Sequence, residues 1–237
     1  MGGIEAYAYQ PVSQILSGRL RPLYAGPDGG VWLVSDEAAA HWQDGRVVQT
    51  VPALPGSFVG VDLAGNVWAA TESDIQAWNG SEWMVYGPES GWTQPSGNPA
   101  YVYRSVTDAL GRFWVPTNAD MRLFDGEQWT IFTPEDMGLE NILADTLWFA
   151  FTLLPADSGE LWLGVCHVVP QGGNGGQGVR VFRDGVWVSE DGLPADGCVS
   201  ALSGDPEGTL WLNANAEVWR RANPAGDWEQ FAPPPPE

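Results

Sequence analysis

Five times along this chain of 237 residues a glycine stands three positions before a tryptophan, with Val, Phe or Leu just ahead of the indole. The pairs are Gly29 and Trp32, Gly65 and Trp68, Gly111 and Trp114, Gly159 and Trp162, and Gly208 and Trp211. The tryptophans follow one another at 36, 46, 48 and 49 residues. Self-similarity at such a period means small supersecondary units that bury their apolar faces only by stacking on one another. A second beat follows each anchor. Trp42, Trp78 and Phe124 come ten residues later, and Val47, Trp83 and Trp129 five after that. Between them lie Asp44-Gly45, Asn79-Gly80 and Asp125-Gly126, dipeptides that suit the positive φ angles of a two-residue type I′ hairpin. The fourth copy keeps Phe182-Arg-Asp184-Gly185-Val-Trp187 behind a ten-residue insertion, and the fifth is looser, with Trp219 and Trp228. Trp92 and Trp148 stand outside the pattern.

Each unit reads as four short strands, a to d, with the anchor Trp on b and the later aromatics on c and d. The expected fold is all-β, a β-propeller of five four-stranded antiparallel blades closing into a ring. A fragment of a larger ring is the open alternative. Expected blades span about 12–52, 53–92, 93–136, 137–190 and 191–231, after an extension at 1–11 and before a Pro-rich tail at 232–237. The repeated tryptophans, with their glycines, are read as packing between blades.

Thirty acidic residues face ten arginines and no lysine, a formal charge of −20. That balance argues against nucleic acid and anionic membrane surfaces, which need a basic footprint. No run of about twenty apolar residues suggests membrane insertion, and no signal peptide follows Met1. The terminal run of prolines reads as a linker, and so as a domain cut from a longer protein. Cys166 and Cys198 fall at the same end of neighbouring blades, which leaves one bridge or two thiols open. No spacing of His and Cys suits zinc, and the Gly172–Gly178 stretch lacks the ending of a phosphate loop. No cofactor and no metal are expected.

In an antiparallel blade the a–b and c–d turns share one face, and the b–c and d–a connections share the other. Length variation collects on the second face, at 88–100, 134–145, 166–177 and 190–197, where binding residues are expected. Its b–c connections carry Asp36, Glu72, Asp74, Asn118, Asp120, Asn213 and Asn215, with His167 beside the glycine-rich insertion. These are candidate ligand-binding residues, although Asp, Asn, Ser and Thr also cap turns for local reasons. Arg104, on an innermost strand, either grips a ligand from the channel or pairs with an acid of a neighbouring blade. Trp92 either stacks on a ligand or tucks under its own loop.

The run Gly192-Leu-Pro-Ala-Asp-Gly-Cys-Val199-Ser-Ala-Leu202-Ser-Gly-Asp205-Pro-Glu-Gly208-Thr-Leu-Trp211 closely resembles the two-component regulator propeller repeat. Five copies of that resemblance cover about 12–231. It implies a sensory propeller, placed outside the cytoplasm ahead of a membrane span and a signalling domain, that binds a ligand, often a sugar, or mediates dimerisation. This chain departs in having far fewer repeats and no signalling domain. The first repeat is also similar to that of streptogramin lyase propellers, which place His and Glu beside Mg²⁺, but neither His41 nor His167 lies in a matching motif. The expected function is therefore a non-enzymatic propeller binding a protein partner or a small polar, carbohydrate-like ligand. An extracytoplasmic location goes with a sensor, and a cytoplasmic one stays open. The alternative is a propeller-type lyase or hydrolase using acidic mouth residues and His167.

Overall fold

The repeated glycine has a positive φ in every copy, 81° at Gly29, 83° at Gly65, 80° at Gly111, 84° at Gly159 and 85° at Gly208. A residue with a Cβ enters that region at a cost, so the glycine fixes where each unit turns from its first strand into the strand carrying the Trp. A computed structural model describes residues 16, 19, 24–26, 28–51, 53–94, 102, 105–139, 148–168, 174–205, 207–222 and 226–232, with backbone alone at 148–150, 168 and 174. The described strands form five four-stranded antiparallel sheets, each with its strands in sequential order. The fold is all-β, the blades those of a five-bladed β-propeller.

The chain divides into two compact units, Met1–Val85 and Tyr86–Glu237. In the first, β1 (Tyr24–Ala25), β2 (Val31–Val34), β3 (Ala39–Gln43) and β4 (Arg46–Val51) make one blade. β5 (Ser57–Val61), β6 (Val67–Ala70), β7 (Ile75–Trp78) and β8 (Trp83–Tyr86) make the next. The second unit holds β9 (Val106–Thr107), β10 (Phe113–Pro116), β11 (Met121–Phe124) and β12 (Trp129–Phe132), then β13 (Trp148–Pro155), β14 (Leu161–Val168), β15 (Asn174–Arg183) and β16 (Val186–Ser189). The last blade is β17 (Val199–Gly204), β18 (Leu210–Ala214), β19 (Glu217–Arg221) and β20 (Glu229–Phe231). Among the described residues no helix is long and apolar enough to cross a membrane.

The anchors sit where the spacing predicts, on the second strand of each blade. Trp32, Trp68, Trp114 and Trp162 are at most 2% exposed, while Trp211 is half-buried with its ring edge against Phe231. Trp32 joins Tyr24, Val34 and Val51 with Val61 and Val67 of the next blade. Trp114 meets Phe182 edge-on at 4.9 Å, and Trp162 meets Trp228 at 6.1 Å. Within each unit, period-two alternation turns one side of a sheet to the next, and the large indoles fill the space between.

Two expectations need correction. Asp44 and Gly45 (φ 50° and 77°) and Asp184 and Gly185 (52° and 84°) adopt the type I′ signs, but at 79–80 and 125–126 only the glycine is positive. There the connections run over four residues, 79–82 and 125–128. The Asn79 Oδ1 accepts from the Ser81 and Glu82 N–H groups at 3.0 Å, and the Asp125 Oδ1 from those of Glu127 and Gln128 at 2.9 Å. A side chain that caps two amides of its own loop favours the longer turn. The second correction concerns the insertion in the fourth blade. It lengthens a hairpin instead of forming a loop, with His167 opposite Gly175 and Val168 opposite Asn174.

Candidate functional site

Three b–c connections are built alike. Ser35, Thr71 and Thr117 each turn a hydroxyl oxygen back to accept from the N–H groups two and three residues on, at 3.0–3.2 Å. Thr71 and Thr117 also donate to the Asp74 and Asp120 carboxylates at 3.0 and 2.7 Å. The repeated polar residues thus fold their own turns. Asp74 further accepts from Ser73 and Gln76 at 2.8 and 2.9 Å. Burial alone would raise its pKa, but the bonds from Gln76, Ser73 and Thr71 outweigh it and hold the carboxyl below its ordinary value. Asp36 is exposed, and its Oδ1 accepts from the Arg19 N–H at 2.8 Å. Glu72 is exposed at its turn, and Asn118 is buried at 6% exposure.

Asp120 belongs to a network absent from the sequence reading. The Arg122 guanidinium, on β11, donates to it through Nε at 2.8 Å and through a second nitrogen at 3.0 Å. It also donates to the Thr93 carbonyl and lies 4.2 Å from the centre of the Trp92 ring. Arg122 is fully buried, so the bidentate pair compensates a charge that isolation would make prohibitive. Trp92 is 1% exposed and meets Trp129 edge-on at 4.8 Å. It packs there against β11 and β12. Arg104 lies outside the described residues.

On the fourth and fifth blades, Cys166 and Cys198 form a disulfide across a separation of 32 residues. Next to it His167 is half-buried, and burial pushes its imidazole below the ordinary value. Asn213 Oδ1 accepts from the Ser200 hydroxyl at 2.9 Å, and Asn215 Oδ1 from the Cys198 N–H at 3.0 Å. Asn215 and Ala216 take φ values of 52° and 66°, so this b–c connection is a tight turn. The candidates therefore stand on separate turns, several of them tied to their own backbone. Among the described residues no group of three or more His, Cys, Asp or Glu is placed to hold a metal ion.

The a–b face carries a second repeated device. Asp62, Asp108 and Asp205 each sit six residues before an anchor indole and accept its Nε1–H, at 2.9, 2.8 and 3.2 Å. The other carboxylate oxygen accepts from the N–H two residues before that Trp, at 2.9, 3.0 and 2.8 Å. The signal was present in the chain as a repeated Asp at a fixed offset from the glycine.

No family model matches this chain, and no curated protein matches it. Solved structures do. One structure of the extracellular domain of BT4673 from B. thetaiotaomicron aligns with a TM-score of 0.53 at 15% identity, covering 90% of this chain and 30% of that one. A second structure of the same domain gives 0.50 with the same identity and coverage. The chain thus spans about 30% of the length of those domains. At this identity the likeness is one of fold, and the fold is the one the repeat resemblance implies.

Proposed function

We propose that this chain is a non-enzymatic β-propeller that binds a ligand or protein partner as the sensing or scaffolding part of a larger extracytoplasmic signalling protein. The observation that carries the reading is the alignment of 90% of the chain with part of an extracellular domain, that of BT4673, described as a one-component or hybrid two-component system. The Cys166–Cys198 bridge supports it, since disulfides persist in oxidising compartments. The turn chemistry supports binding over catalysis. Asp74 and Asp120 are engaged by neighbouring donors, which suits a stiff recognition surface better than an acid or base that must exchange protons.

The test is a screen of mono- and oligosaccharides and small polar metabolites against the purified chain. Thermal shift and calorimetry report binding, and NMR of each mixture reports chemical change. Saturable binding without turnover supports the proposal. Conversion of any compound that is lost on His167→Ala would replace it with the enzyme reading.

A further inference from the structure

Two blades break the carboxylate pattern of the a–b face, the fourth with Ala156 six residues before its anchor and the first by moving the carboxylate. Gly26 stands where Asp62, Asp108 and Asp205 stand, and the carboxylate comes instead from Asp28, two residues later. Its Oδ1 accepts from the Gly30 N–H at 3.1 Å, the same amide relative to the anchor as in the other blades. That oxygen lies 2.7 Å from the place a Cβ on Gly26 would occupy, so the substitution to glycine makes the room. The second half of the device is changed. The His41 ring lies flat on Trp32, with centroids 4.8 Å apart and planes 7° apart, and its Nε2 is 3.4 Å from Asp28 Oδ1. That is longer than a good hydrogen bond and longer than the 2.8–3.2 Å of the indole contacts.

The consequence is a carboxylate with accepting capacity to spare. The Asp28 side chain is 46% exposed, whereas that of Asp108 is fully buried. The His41 Nε2 is buried and makes no hydrogen bond. Both line a cavity of about 210 Å³ in the first two blades, together with Trp32, Gln49, Val61, Leu63 and Ala64.

We propose that this cavity is a binding site for a small organic ammonium ion. The ammonium donates to Asp28 and to the Gln49 carbonyl, and its alkyl body lies on Val61, Leu63 and Ala64. The lining contains no Arg, and the chain's charge of −20 concentrates cations around it and repels anions. The apolar wall favours an alkylammonium over a bare metal cation, which would forfeit its hydration against hydrocarbon. The volume falls below the roughly 300 Å³ at which drug-sized sites begin, so the ligand is a short amine. The site goes beyond the sensory reading and stands whether or not the propeller serves a signalling protein.

The experiment follows ¹H–¹⁵N spectra of the chain titrated with ethylammonium chloride, with sodium chloride, sodium acetate and ethanol as separate arms. The Gly30 amide and the Trp32 indole N–H shift saturably with ethylammonium and stay put in the other arms. Asp28→Asn keeps an oxygen for the Gly30 N–H but loses the charge, and weakens binding by about tenfold or more. Ala64→Phe, an exposed turn position, fills the cavity and abolishes the shifts while melting like the parent chain. Equal shifts with sodium chloride, unchanged affinity in both variants, or shifts spread over the Asp36 and Glu72 turns would each overturn the proposal.

Discussion

Burial and turn geometry make single residues of this chain carry unequal weight. Trp162 is 2% exposed and packs with Val181, Leu212 and Trp228. Truncating a buried indole removes its transfer free energy and leaves a cavity, so Trp162→Ala should destabilise the fold by about 3–5 kcal/mol. Chemical denaturation would show it, and an unchanged midpoint would reassign the residue from packing to another role. Ala216 offers the opposite case. It holds a φ of 66° on an exposed turn, where a Cβ is strained. Ala216→Gly relieves that strain and loses some of the gain to the greater freedom of the unfolded chain, leaving a stabilisation of up to about 1 kcal/mol. A lower melting temperature in that variant would contradict the assigned geometry.

The strands and turns show what a periodic sequence discloses and what it hides. Blade number, strand order and anchor positions were legible because stacking repeats imposes the same apolar positions on every copy. The clustered glycines at 172–178 were not, because a run of glycine looks like a loop in any one-dimensional reading. At Gly176 the cause is a close approach of backbones. A Cβ on Gly176 would fall 2.0 Å from the Gly197 carbonyl oxygen and 2.1 Å from the Cys198 nitrogen, and one on Gly164 would fall 2.4 Å from Val199. Only glycine lets the long hairpin of the fourth blade press so near the start of the fifth. The Arg122 and Asp120 pair was hidden for a similar reason, since an Asp and an Arg two residues apart do not announce that the arginine is buried. The disulfide staples this same junction. Replacing both Cys166 and Cys198 by Ser should lower stability by about 2–4 kcal/mol. Hydrogen exchange should quicken in β14 and β17 first and leave β2 and β3 unchanged. Uniform loss of protection across the chain would show that the bridge holds more than one junction.

At the scale of the whole molecule two electrostatic effects of opposite sign meet on acidification. Asp74, Asp125, Asp136 and Asp205 are all held below the ordinary carboxyl value of 3.8. For Asp125 the cause is amide bonds from Gln128 and Glu127, and for Asp136 it is bonds from Thr133. The folded chain binds fewer protons at these sites than the unfolded chain. Their contribution is therefore present above about pH 4 and is lost as pH falls through the folded values. His167, lowered by burial from 6.5, acts in the same direction at higher pH, its contribution complete above 6.5 and declining below it. Against these stands the repulsion of a chain carrying −20, which weakens as exposed carboxylates protonate on the way to a pI near 4.1. Salt separates the two. At pH 7 added sodium chloride screens the repulsion and should raise the melting temperature. Near pH 4 the net charge is gone and the same salt should change little, while the melting temperature still falls as the four carboxylates take protons at lower pH. Calorimetry over a grid of pH and salt would measure both. A melting temperature indifferent to salt at pH 7 would mean that the acidic surface is spread too thinly to strain the fold. A melting temperature that does not fall below pH 4 would mean that the turn carboxylates add nothing to the stability of the fold.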